Sequence, residues 1–225
     1  ALIAKKLNEE DSNLFVNKFP DDELYVRFDA ELKNKNVVLV QSFYRNISDC
    51  LMEIIFAAKT ARELGAKKVI LASPYFPYMR QDKRFHKGEA VSQNIIAGLM
   101  DNYLDVIYIM DPHLHRKNNL ERLFKIKSAK LTANALIAGY IKNCIKNPVI
   151  IGPDEESYKW AENVADMLKV ESAILKKKRY SSYKVKVKLN KKINEKRNEK
   201  INLKNRNVVI VDDIVSTGHT LIETA

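Results

Sequence analysis

Residues 208–220 read VVIVDDIVSTGHT, and this run constrains the fold more than any other part of the chain. Four apolar residues, Val208 to Val211, suit a buried strand. Two adjacent carboxylates, Asp212 and Asp213, stand at its carboxyl end. A run of hydroxylated and glycine residues, Ser216, Thr217, Gly218, His219 and Thr220, then leads into a helix predicted to begin near Leu221. A strand that turns in this way into a helix is half of a βα unit, and such units build parallel sheets. The turn also has a chemistry. Backbone N–H groups and hydroxyls can wrap a phosphate at a helix N-terminus, and the carboxylates beside it can accept hydrogen bonds from vicinal sugar hydroxyls, directly or through Mg²⁺. A sugar phosphate satisfies both halves. The alternative, a capped turn with surface acids, gives no reason for an acid pair directly behind four apolar residues.

Strand and helix patterns alternate along the whole chain. Strands are predicted at 14–17, 25–28, 37–42, 68–73, 105–110, 149–151, 172–176, 183–189 and 207–211, and helices at 49–64, 89–103, 132–142 and 156–168. The series runs twice, ending first at Asp111 and again at Asp212 and Asp213. The expected fold is therefore α/β, two similar doubly wound domains with mainly parallel sheets. They are predicted over 1–127 and 128–225, with ligands bound beyond the carboxyl ends of the strands and a site between the domains. The chain stops barely a turn into its last helix, so the second domain is expected to be truncated at its C-terminus.

The 46% hydrophobic content is enough for a real core in 225 residues. With no run of 18 apolar residues and no signal-like start, the expectation is a cytoplasmic protein without a membrane partner. Cys50 and Cys144 fall within separate helical patterns, which favours reduced thiols. The net charge of +11 invites a nucleic-acid partner, but its distribution argues against one. Residues 176–207 hold fourteen Lys/Arg and two Asp/Glu, so that segment carries the entire excess. Within it KVKVKL, 184–189, alternates as an edge strand does, and a solvated, aggregation-resisting ribbon is the expected role; attraction of anionic substrates is the competing one.

Five of the six prolines lie in four polar segments that follow or border predicted strands: FPDDE (19–23), SPYFPYMRQDKR (73–84), DPHLH (111–115) and GPDEES (152–157). Stiff loops at strand ends are where a site is assembled. Arg80 offers a bidentate clamp for phosphate and Gln81 both donor and acceptor, a combination suited to a nucleotide triphosphate; a solvated charge run is the alternative. His113 and Asp154 can each give one ligand to a Mg²⁺ already bound to phosphate, whereas they fall short of a closed zinc site. Taken alone, a histidine such as His113 is more often structural. In AILKKKRY, 173–180, a strand delivers four consecutive basic residues to its end, where cations can neutralise charge moving between phosphates. A simple basic strand exit is the alternative.

In this order FPDDE, PYFPYMRQDK, DPHLH, GPDEE, KKKR and VVIVDDIVSTGHT resemble the ribose-phosphate pyrophosphokinase family over the entire chain. The final loop alone also matches a phosphoribosyltransferase; RQDK together with FPDDE points to the kinase. The resemblance implies phosphoribosyltransferase-like domains, an N-terminal one that grips ATP and a C-terminal one for ribose 5-phosphate. It also implies Mg²⁺ as cofactor and a homo-oligomer whose active sites are shared between subunits. It assigns Phe19, Asp21 and Glu23 to the adenine of ATP bound by a neighbouring subunit, and Arg80 and Gln81 to ATP. His113 and Asp154 fall to magnesium-bound phosphates or ribose. Asp212 and Asp213 would accept ribose hydroxyls, Ser216 to Thr220 hold the 5-phosphate, and Lys177 and Arg179 form a catalytic pair on a mobile flap. The implied reaction is transfer of the β,γ-diphosphoryl group of ATP to the C1 hydroxyl of ribose 5-phosphate. The chain departs from the family pattern in lacking glycine at Asp22 and a glycine pair near Glu156 and Ser157, and in the longer stretch before the aspartate pair.

Overall fold

Alternation of apolar residues in KVILAS, 68–73, puts Val69, Leu71 and Ser73 on one buried side of a strand, and around it the first half of the chain is organised. The computed structural model describes residues 2–114, 119–154, 157–181, 184–190, 203–215 and 217–224, with the backbone alone over 175–190. Two units are distinguished, Ala1–Leu131 and Thr132–Ala225. The fold is α/β with mainly parallel sheets.

The first unit opens with a short exposed helix, α1 (Leu2–Leu7), and an antiparallel hairpin of β1 (Leu14–Lys18) and β2 (Leu24–Phe28). Its sheet is parallel throughout, in the order β3 (Asn36–Val40), β4 (Lys68–Ser73), β5 (Val106–Met110) and β6 (Lys127–Leu131). Helix α2 (Ile47–Glu63) buries Leu51, Ile54, Ala57, Ala58 and Ala61, a three-to-four-residue spacing that turns one face to the core. Helix α3 (Ser92–Asp101) contributes Ala97 and Met100 to the same cluster as Phe43, Leu71, Ile107 and Ile109.

Two differences from the sequence expectation have local causes. β6, KSAKL, has no apolar run and is mostly exposed, so nothing in its pattern marks a strand; pairing with β5 makes it one. α3 starts at Ser92 rather than Glu89 because Glu89 is used in the preceding loop. Its carboxylate accepts the N–H groups of Phe85 and His86, and its carbonyl accepts from Arg84 Nε.

In the second unit the strand order is β10 (Asn207–Ile210), β7 (Pro148–Gly152), β8 (Ser172–Ser181) and β9 (Lys184–Asn190). β7 is buried at all five positions, as a central parallel strand should be. Helices α4 (Asn134–Cys144) and α5 (Tyr158–Leu168) pack Ala138, Ile141, Ala161, Val164 and Ala165 with Ile150 and Val211. β8 pairs with β7 only through Ser172–Ile174. Beyond that it runs antiparallel to β9, with Lys177 opposite Val187, Arg179 opposite Val185, Lys176 opposite Lys188 and Lys178 opposite Lys186. KVKVKL thus lies in an edge strand, where lysines discourage pairing with a further chain. Among the described residues no helix is long and apolar enough to cross a membrane.

Candidate active site

In the second unit the chain goes from β7 to β8 on one side and later returns to place β10 on the other. This reversal is a topological switch point, where parallel sheets leave a crevice beyond their carboxyl ends. The register shows which residues stand there. Ile210 is opposite Ile151, Gly152 is opposite Ile174, and Val211 N–H donates to the Ile151 carbonyl at 2.9 Å. Asp212, Asp154 and, further along β8, Lys177 and Arg179 all come just after these paired positions, at one edge of one sheet.

Asp154 is held in a closed turn. Its Oδ1 accepts the Ser157 N–H at 2.9 Å and lies 3.0 Å from Ser157 Oγ, while the Asp154 N–H donates to that Oγ at 3.2 Å. Ser157 is 1% exposed. Its hydroxyl closes the turn. Gly152 permits this turn to approach the sheet: a Cβ added there would lie 2.8 Å from Tyr158 Cα and 3.0 Å from Tyr158 N, at the first residue of α5. Gly152→Ala is therefore expected to displace the α5 N-terminus and the Asp154 turn, costing about 1–3 kcal/mol of stability and lowering the melting temperature by several degrees. A variant that melts with the wild type would show that the backbone yields without cost.

Asp212 is half-buried, and its carboxyl is pushed up to about 6. Burial is the largest cause, followed by the hydrogen bond and charge of Asp213, with a further contribution from the charge of Asp154. Two carboxylates at the end of β10 and a third beyond the end of its neighbour β7 thus concentrate negative charge that sugar hydroxyls would relieve. In the following loop Gly218 has φ 75, the left-handed region that glycine enters freely, and a Cβ there would meet nothing within 4 Å; the demand is conformational. Helix α6 (His219–Thr224) begins two residues earlier than expected, its His219 N–H received by Thr217 Oγ1 at 3.4 Å. His219 Nε2 lies 3.0 Å from Glu223 Oε1 one turn on. Thr217 is exposed and Thr220 partly so. Ser216 lies outside the described residues, and of Lys177 and Arg179 only the backbone is described.

In the first unit β4 and β5 are parallel with Ser73 opposite Ile109, so the loops that follow them leave the same sheet edge. One carries Arg80, exposed, and Gln81, partly buried, above an anchor of buried Phe76, Pro77 and Met79. Phe76 sits edge-on to Phe43 and Phe124, at 5.7 and 5.9 Å. The other carries His113, partly buried, behind buried Pro112. The Asp111 N–H donates to the Leu131 carbonyl, tying this loop to β6.

FPDDE forms the tip of the β1–β2 hairpin. The Phe19 N–H donates to the Glu23 carbonyl at 2.8 Å, and the Asp22 N–H to the Phe19 carbonyl at 3.0 Å. Asp22 takes φ 68, the conformation for which glycine is the easier residue, and aspartate tolerates this left-handed region better than most side chains. Asp21 and Glu23 are exposed, and Phe19 is 50% exposed, edge-on to Tyr25 at 5.6 Å.

Sequence reasoning missed Gly152, Ser157 and, in α3, Gln93. The first two had a signal: a glycine closing an all-apolar strand, and a serine three residues after an aspartate, the spacing of a side-chain-closed turn. Gln93, 2% exposed, had none.

Residues 1–103 match the family model for the N-terminal domain of ribose phosphate pyrophosphokinase, and residues 119–225 match the phosphoribosyl transferase domain. The chain is 35% identical to ribose-phosphate pyrophosphokinase of Methanobrevibacter smithii, over 99% of this chain and 74% of the relative. It is likewise 35% identical to that of Methanothermobacter thermautotrophicus, over 100% and 74%. Among solved structures it resembles phosphoribosylpyrophosphate synthetase from Mycobacterium smegmatis with a TM-score of 0.82 and 25% identity, covering 99% of this chain and 70% of that one.

Proposed function

Since the chain belongs to the ribose-phosphate pyrophosphokinase family, we propose how its residues divide the work of that enzyme. The reaction is formation of phosphoribosyl pyrophosphate from ribose 5-phosphate and ATP. The C1 hydroxyl oxygen attacks the β-phosphorus in line, the bond from that phosphorus to the α,β-bridging oxygen breaks, AMP leaves, and the hydroxyl proton is released. No protein nucleophile is required, so positioning and charge neutralisation supply most of the rate.

The crowding of Asp154, Asp212 and Asp213 at the switch point carries the assignment of the sugar to the second unit. Asp212 and Asp213 accept the ribose hydroxyls, and Ser216 to Thr220 receive the 5-phosphate. Residues 1–127 grip ATP through Arg80 and Gln81; residues 128–225 hold ribose 5-phosphate. Lys177 and Arg179, carried by β8 past the end of β7, neutralise the transferring group. Asp154 and His113 are each assigned one contact to Mg²⁺; among the described residues no three histidines, cysteines or carboxylates lie close enough to hold an ion by themselves, so the phosphates of ATP would supply its remaining ligands. When bound with ATP the cation would draw charge off the phosphate oxygens. The work is assigned to the cytoplasm, with neither nucleic acid nor membrane as partner.

AMP production from ATP that depends on ribose 5-phosphate tests the assignment. Nucleotide binding without turnover, or pyrophosphate release from phosphoribosyl pyrophosphate and a base without any use of ATP, would defeat it.

The site is shared in a homo-oligomer, Phe19, Asp21 and Glu23 reaching the adenine of a neighbour's ATP. The exposure of all three at a hairpin tip supports this. Asp21→Ala with Glu23→Ala, and Lys177→Ala with Arg179→Ala, should each be nearly inactive alone. Mixed and reassembled in equal amounts, they should regain activity, since about one composite site in four draws both intact halves. Mixed oligomers confirmed by mass but no more active than either parent would place the whole site within one chain.

A further inference from the structure

We propose that Gln93 is a positioning residue for the Arg80–Gln81 pair, acting from the first turn of α3; the proposal rests on the assignment of that pair to ATP. Three hydrogen bonds run from this turn to the loop backbone. Ser92 Oγ donates to the Tyr78 carbonyl at 3.3 Å, Gln93 Nε2 to the Met79 carbonyl at 3.2 Å, and the Gln93 N–H to the Gln81 carbonyl at 3.3 Å. The two from Gln93 fall on either side of Arg80. The buried side-chain amide therefore holds the peptide that enters Arg80, and the backbone N–H of the same residue holds the one that leaves Gln81, which together set the direction in which the exposed guanidinium is presented.

Two further observations indicate that this arrangement serves something other than stability. Tyr78, just before the clamped residues, sits at φ 61, a left-handed conformation that a bulky side chain rarely adopts. Gln93 Oε1 is buried and accepts no hydrogen bond. A buried amide with half its capacity unused is a poor choice for a core, where an apolar side chain of the same length would pack without an orphaned acceptor. What only glutamine supplies there is the Nε2 donor aimed at Met79.

Gln93→Met separates a positioning role from a structural one. It removes the unpaired Oε1 and leaves the Met79 carbonyl without its donor, one orphaned acceptor for another, so the melting temperature should stay within about 2 °C of wild type. The Michaelis constant for ATP should rise about tenfold, with kcat within about threefold and the constant for ribose 5-phosphate within about twofold. Misplacing a clamp that binds ground and transition states alike weakens binding and leaves the chemical step alone. An ATP constant within about twofold of wild type, or constants for both substrates rising together, overturns the proposal. If Gln93→Met fails to fold, Ser92→Ala decides, because it removes only the exposed contact to Tyr78: a rise of about threefold for ATP alone supports the clamp, and no change overturns it. Arg80→Ala, measured alongside, tests the assignment of the loop. No effect on ATP there defeats that assignment and the clamp together, whereas a large effect with Gln93→Met unchanged defeats the clamp alone.

Discussion

Alanine at Lys177 or at Arg179 lowers turnover by about 10²- to 10³-fold while the Michaelis constants move by no more than about threefold. The asymmetry follows from where the charge is. In the ground state the triphosphate is held by its own contacts. During transfer, charge spreads over the equatorial oxygens of the moving group and onto the bridging oxygen of AMP, so cations aimed there strengthen their hold only as the reaction proceeds. β8 is suited to deliver them. It is anchored by β7 through Ser172–Ile174, and β9 pairs with it beyond, so Lys177 and Arg179 are two residues apart on one face of a two-stranded ribbon. Single-turnover measurement of AMP release at saturating substrates reads the step directly. Turnover within about threefold of wild type in both variants would remove the pair from the mechanism.

Asp212→Asn with Asp213→Asn raises the Michaelis constant for ribose 5-phosphate by about 10²-fold or more and that for ATP by less than about threefold. Each carboxylate that accepts a sugar hydroxyl contributes on the order of 1.5–3 kcal/mol, and an amide cannot replace it as a charged acceptor. The reverse pattern, with ATP affinity collapsing, would exchange the substrates between the two units. The same residue carries a pH signature. The Asp212 carboxyl titrates near 6 in the fold, above its ordinary value, so folding disfavours its charged form. Its ionisation therefore destabilises the ligand-free protein progressively as pH rises from about 4 through 6. Below about 4 the carboxyl is protonated in folded and unfolded chains alike, and the penalty is absent. Asp212→Asn should accordingly melt higher than wild type at pH 8, with the gap closing towards pH 4, while wild-type affinity for ribose 5-phosphate falls as pH drops below 6. Equal melting temperatures for the two proteins across that range would show that the fold does not penalise the charged Asp212 carboxyl.

The sequence by itself determined which residues share a loop and which end of a strand each loop leaves. Apolar runs and their spacing are local, so β4, β7 and β10 were legible from KVILAS, PVIIG and NVVI, and with them the positions of Arg80, Asp154 and Asp212 just past strand ends. The same local reading failed at β6, where a lysine-rich edge strand buries too little to leave a pattern, and at α3, whose expected first turn is occupied by the Glu89 loop. Only the tertiary structure decided which strands are neighbours. β10 lies beside β7, and that pairing adds the charge of Asp154 to the burial and the neighbouring Asp213 that chiefly lift Asp212 to about 6. The closeness of Gly152 to Tyr158 and the grip of Gln93 on the backbone around Arg80 belong to the same category. Burial, close approach and the pKa of a buried acid are set by atoms far away in sequence, and hydrophobic periodicity carries no information about which distant element supplies them.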